Sequence, residues 1–207
     1  ISDPYSPFPQ MAVIIPSTEA STYFMYSKEY YTVPGYDSHS QHLFFSKFNA
    51  DLVAQKIILK KQIIHSDSIQ LIGIDAIKHA NGRDWWIFYP KLHSNIFFSA
   101  LINGKTGELI RVVTNELGRK LENVNNQLSI NKLGNKIAIS SDYYKITKDE
   151  SYLDIFDFDR ATGILSNPLA YTFKDYDSFL LFGVAFSPNS KYLYVSRKTH
   201  LYQFDLS

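Results

Sequence analysis

The sequence predicts an all-β fold, a β-propeller built of four-stranded antiparallel blades, of which about four are present as part of a larger ring. Three observations predict it. Aromatic residues make up 15% of the 207 residues, with 15 Tyr and 15 Phe, which favours strands over helices. A strand, tight turn, strand unit recurs along the chain, and no 3.6-residue apolar period accompanies it. The unit's spacing is that of propeller blades, longer than solenoid repeats.

The repeat is plainest in Ala76–Ile87, Ser129–Ile139 and Ala185–Val195. Each has an apolar strand end (Ile77, Ile130, Phe186), a polar turn and a basic residue near the start of a second strand. Asn81-Gly82, Gly134-Asn135 and Pro188-Asn189-Ser190 supply the positive or preset φ that such turns require. A fainter first copy runs from Ala12–Pro16 to Thr22–Tyr26. Third strands are expected at His42–Phe48, Asn95–Ile102, Tyr152–Phe158 and Leu201–Leu206, and fourth strands begin at Leu52, Glu108 and Ile164. Taking Ile15, Ile77, Ile130 and Phe186 as equivalent anchors gives spacings of 62, 53 and 56 residues. One propeller region over 1–207 is expected, with blades at about 10–64, 72–114, 126–173 and an incomplete 179–207.

Composition excludes several classes of function. A formal charge of +1 gives no bulk attraction to nucleic acid or to an acidic membrane. No apolar run approaches the length of a membrane-spanning helix. The absence of cysteine removes disulfides, thiol catalysis and thiolate metal sites. The first residues, Ile1-Ser2-Asp3-Pro4, suggest a mature product or a fragment.

Several motifs resemble those of large secreted Bacteroidota propeller proteins. They are Lys78–Trp86 with His93–Phe97, Leu153–Gly163 with Ser166–Pro168, Gly183–Ser196 with Leu201–Leu206, and Met11–Pro16. Their order is also the family's. Asn189-Ser190 stands where the family usually has Asp-Gly. The resemblance implies a WD40-like propeller at the cell surface or outside it, of the kind that usually carries a type IX secretion sorting domain. It implies no catalytic residues.

Candidate functional residues lie in the loops between second and third strands, which share one side of a propeller with the blade-to-blade connections. Loops on a rigid scaffold can vary to suit a ligand. Those loops hold Tyr30, Tyr31, Tyr36 and His39, then Tyr89 and His93, then Tyr143 and Tyr144, and finally Arg197. Tyr presents a rigid apolar face with a polar tip, suited to a protein or glycan ligand; equally, Tyr tiles loops in an aromatic-rich chain. Trp85-Trp86 is expected to pack between blades.

No cofactor or metal site is expected. The six histidines show no His-Glu-x-x-His spacing, and Asp154, Asp157 and Asp159 fall on a strand rather than on a calcium-binding turn. Asp157 and Asp205 are expected to be structural, as is His79 beside its turn. Lys56, Lys60 and Lys61 guard an outer edge strand. The expectation is a non-catalytic module that binds a protein or glycan. Two alternatives stay open. One is a hydrolase or lactonase with acids such as Asp75 near the central channel; the other is a structural part of a surface assembly, completed by another chain.

Overall fold

The structure, a computed structural model, describes residues 10–29, 39–51, 56–121, 126–145, 148–173, 181–197 and 200–207. These form four antiparallel sheets that follow one another along the chain. The first holds β1 (Ala12–Pro16), β2 (Thr22–Lys28), β3 (His39–Asn49) and β4 (Lys56–Gln70). The second holds β5 (Asp75–Lys78), β6 (Trp85–Pro90), β7 (Ile96–Ile102) and β8 (Leu109–Glu116). The third holds β9 (Asn126–Ile130), β10 (Lys136–Lys145), β11 (Lys148–Asp159) and β12 (Ile164–Phe173). The fourth has three strands among the described residues, β13 (Leu181–Phe186), β14 (Tyr192–Arg197) and β15 (Leu201–Asp205). In each sheet the strands lie in chain order.

The inner hairpins repeat in detail. Each closes with a hydrogen bond from the amide of its first residue to the carbonyl of its sixth. The four are Ser17 to Thr22 (2.9 Å), His79 to Asp84 (2.9 Å), Asn131 to Lys136 (3.0 Å) and Ser187 to Tyr192 (2.8 Å). The fourth residue of the last three turns, Gly82, Gly134 and Ser190, has φ of 72°, 71° and 61°. Glycine takes that conformation freely and serine at a cost. The first residue's side chain caps the turn as well: His79 Nδ1 accepts from the Asn81 amide and Asn131 Oδ1 from those of Asn135 and Lys136.

These bonds correct the repeat register. Pro16, Lys78, Ile130 and Phe186 are the equivalent residues, whereas the sequence suggests Ile15, Ile77, Ile130 and Phe186. Side chains alternate across a strand, so the difference decides which face is which. Ile15 and Ile77 point toward the following sheet, and Ile130 and Phe186 toward the preceding one. The apolar residue nearest the turn therefore misleads, because it lies on opposite faces in the two halves of the chain.

Each sheet has a forward face, packed on the next sheet, and a back face, packed on the previous one. Phe24, Tyr26 and Phe45 meet Ile87, Phe98 and Ile102 between the first two sheets. Trp86, Phe88 and Phe97 meet Ile137, Phe156 and Phe158 between the second and third. Leu153, Ile155 and Phe173 meet Leu193, Val195 and Phe204 between the third and fourth. Trp86 is fully buried and its Nε1 donates to the Arg160 carbonyl at 2.7 Å. Trp85 lies on the opposite, half-buried face beneath the Lys78 ammonium.

The innermost strands β1, β5, β9 and β13 neighbour one another in series, and side chains tie them together. Asp75 Oδ2 accepts from the Ile130 amide and Gln127 Oε1 from the Val184 amide. Further out, the Thr18 amide donates to the Gly104 carbonyl, and at the equivalent point Ala80 donates to Arg160. Face-to-face sheets stacked in chain order with their first strands innermost are the blades of a β-propeller. The first sheet reaches Gln70, past the expected end near residue 64, because β4 continues through four register shifts along β3.

Candidate functional site

On the loop side, the turn between β6 and β7 is held from both directions. The Leu92 amide donates to the Ser68 carbonyl, and the Leu117 and Leu121 amides donate to the carbonyls of Asn95 and Ser94. Lys91 Nζ lies 2.9 Å from Asp67 on the last part of β4. His93, exposed at the tip of this turn, has φ of 49°. Where β6 runs into this turn, His65 Nδ1 is 2.9 Å from the Tyr89 hydroxyl, and its ring stands edge-on to Phe98. The result is a patch of imidazole, ammonium, carboxylate and hydroxyl groups whose backbone is pinned.

Burial lowers the pKa of His65, against a smaller opposing effect from Asp67. Its ring is therefore neutral around pH 7 and can take the Tyr89 proton in a hydrogen bond. Burial raises the pKa of Tyr89, which keeps that hydroxyl protonated. Hydrogen bonding of fixed direction is the chemistry this patch offers. Among the described residues no group of three or more His, Cys, Asp or Glu could hold a metal ion.

The structure scatters the residues expected on the loop face. Tyr30, Tyr31 and Tyr36 lie outside the described residues. His39 opens β3 opposite Gln70, and His93 lies on the pinned turn. Tyr143 and Tyr144 are within β10, paired with Glu150 and Asp149 of β11, so that strand runs through the stretch expected to be a loop.

Two placements are corrected outright. Tyr89 is on β6 and fully buried between the first two sheets, where its ring fills space and its hydroxyl meets His65. Arg197 ends β14 and is buried, its guanidinium 5.3 Å from the centre of the Phe173 ring. The patch's other members, His65, Asp67 and Lys91, follow from the extension of β4, which carries Asp67 alongside the next sheet's turn. No local motif signals that approach.

Asp75, the acid considered for catalysis, has structural partners, as do Asp157 and Asp159 of the calcium reading. Asp75 accepts from the Ala76 and Ile130 amides, Asp157 from Lys136 and Asn167, and Asp159 from the Ala161 amide and Thr162 hydroxyl. Asp154 differs. It is buried, its Oδ1 lies 3.7 Å from Arg119, and that guanidinium covers the Tyr152 ring at 3.9 Å.

Burial raises the Asp154 pKa to about 6, with Arg119 opposing the rise. The folded state therefore holds this proton more tightly than the unfolded one. Stability from this group is present below about pH 4 and falls as pH rises through 6, by about 2–3 kcal/mol in all. In Asp154→Asn that fall should vanish, measured as the difference in unfolding free energy between pH 4.5 and 7.5. An unchanged pH slope would refute the assignment.

No family model and no curated protein matches the chain. Solved structures do. Hydrazine synthase of Kuenenia stuttgartiensis is 12% identical with a TM-score of 0.51, the match covering 93% of this chain and 52% of that one. A putative 6-phosphogluconolactonase of Bacteroides fragilis is also 12% identical, with a TM-score of 0.53, covering 94% and 63%. A third match, the Dos1 propeller, has a TM-score of 0.44 at 11% identity, covering 94% and 55%. The first two likenesses speak to fold alone. The chain spans between half and two thirds of the length of these neighbours.

Proposed function

We propose that this propeller is a non-catalytic recognition module, working at the cell surface or outside the cell, that binds a protein or a glycan through its loop side. The observation that carries the reading is the β6–β7 turn. Its backbone is bonded to the preceding sheet and to the following connector, and it offers Lys91, paired with Asp67, and the exposed His93. A surface ordered before binding loses little entropy on binding, which favours selective recognition. The motif resemblance to secreted Bacteroidota propellers supports the location, including export by the type IX route. The structural partners of Asp75, Asp157 and Asp159 support binding over hydrolysis.

The test is an array of bacterial and host surface glycans, probed with the wild-type chain and with Lys91→Glu/His93→Ala. Binding to a subset of glycans should weaken at least tenfold in the variant while its melting temperature falls by no more than a few degrees. Equal binding by both proteins would remove this turn from the site. Turnover of a lactone by the wild type would count against a non-catalytic role.

A further inference from the structure

The back face of the first sheet lies open around Ile14, Met25 and Phe48, whereas Phe44 and Ser46 on the same face are buried beneath Lys61 of β4. With the corrected register, its residues match those that fill the other interfaces. Ile14 takes the place of Ala76, Leu128 and Val184, and Tyr23 that of Trp85, Ile137 and Leu193. Met25 takes the place of Ile87, Ile139 and Val195, and Phe48 that of Ile102, Phe156 and Phe204. In the second, third and fourth sheets these positions pack on the preceding sheet. In the first sheet nothing covers them among the described residues: Ile14 is 56% exposed and Ile57, paired with Phe48, is 63% exposed. Met25, Phe48 and Ile57 line a groove of about 700 Å³ edged by Lys47, Lys56 and Lys60.

The forward face of the fourth sheet is open too. Tyr194 stands there at the position of Phe24 and Trp86, and Leu201 is 70% exposed. We propose that the back face of the first sheet is a blade-docking surface, covered by the forward face of a further sheet of the same polypeptide. The ring then has more than four blades. The occupant's chemistry follows from the three interfaces already formed. It is an antiparallel sheet with apolar residues facing forward and, on its second strand, an aromatic that packs on the sheet after it. Phe24 packs in that way against Gly107, and Trp86 against Gly163.

A source within the same polypeptide continues the pattern, since each existing interface joins sheets consecutive in one chain. Two neighbours of similar fold also have length to spare: 93–94% of this chain matches only 52–63% of theirs. Scattered apolar residues are ordinary on a surface, whereas a contiguous patch in the register of a core interface is not.

The test recovers the native protein from its source with an antibody against this chain and measures its denatured mass. A polypeptide heavier than 23.8 kDa by at least one blade, roughly 6 kDa at the repeat length, is expected. A native polypeptide of 23.8 kDa would overturn the proposal. Met25→Lys tests the face itself. It should lower the melting temperature of the native protein by several degrees and that of the 207-residue chain by about 1 °C or less. Equal effects in the two would overturn the proposal. So would a dimer of the 207-residue chain that Met25→Lys disperses, which would give the face to a second copy.

Discussion

Replacing Trp86 by alanine is expected to destabilise the fold by about 3–5 kcal/mol, the loss typical of a large aromatic removed from a core. The side chain is fully buried where the second sheet meets the third. Its ring meets Phe158 at 6.2 Å, its Nε1 donates to Arg160, and a Cβ on Gly163 would stand 2.5 Å from its Cη2. The Gly163 backbone cannot easily move in to fill the space, because it has φ of 82° and closes a tight turn on Asp159. For a chain of this size the melting temperature should fall by roughly 10 °C. Trp85→Ala is the control, since Trp85 is half-buried beneath Lys78 on the other face. Thermal unfolding should show Trp86→Ala the more damaging by at least twofold in free energy. Equal losses would contradict forward-on-back packing at this interface.

Gly104→Ala should be comparably severe for a different reason. A Cβ on Gly104 would stand 2.0 Å from the Arg83 carbonyl oxygen, which is backbone and cannot swing aside. Gly104 also accepts from the Thr18 amide of the first sheet and donates to Asp84 Oδ1, both at 2.9 Å. The alanine variant must part the two hairpins of the second sheet, at a cost of about 3 kcal/mol or more. Urea unfolding measures it, and a loss below about 1 kcal/mol would show that the hairpins are not held in this contact.

Asp84 gives the same junction a pH signature. Arg83 hydrogen bonds, with further bonds from Gly104 and Asn81, hold its carboxyl well below the usual carboxylate range. Stability from Asp84 is therefore present above about pH 4 and lost as pH falls below it. Asp84→Asn should lessen the acid sensitivity of the wild type. Asp154 acts in the opposite sense, so the two variants tilt the pH profile in opposite directions.

The fold was legible in the sequence because its signals are local. Left-handed turn residues, apolar alternation and aromatic strands all act within a dozen residues, and they recur along the chain. The register at the turns was harder to see. Six-residue turns closed on His79 and Asp84, or on Asn131 and Lys136, leave Ile77 and Ile130 looking alike although they face opposite ways.

The structural role of His79 and the packing of Trp86 were also legible, since a turn and a strand fix both. The candidate site was less so. Tyr89 and Tyr144 sit at strand ends that sequence assigns to loops, and nothing near Arg197 in the chain announces the Phe173 ring. His65, Asp67 and Lys91 meet only because β4 is long enough to reach the next sheet's turn. Contacts between sheets leave no trace in the spacing of residues along one of them.

Sheets stacked in chain order around one axis gather the loops on one side. The absence of cysteine makes this directly measurable, because pairs of introduced cysteines can carry spin labels without background. Labels at the inner-hairpin residues Ala20, Asn81, Leu133 and Asn189 report one sheet each. Electron–electron distances for 20–81, 81–133 and 133–189 should be similar and the shortest of the set, with 20–133 and 81–189 longer. A distance between non-consecutive sheets shorter than those between neighbours would contradict the propeller order.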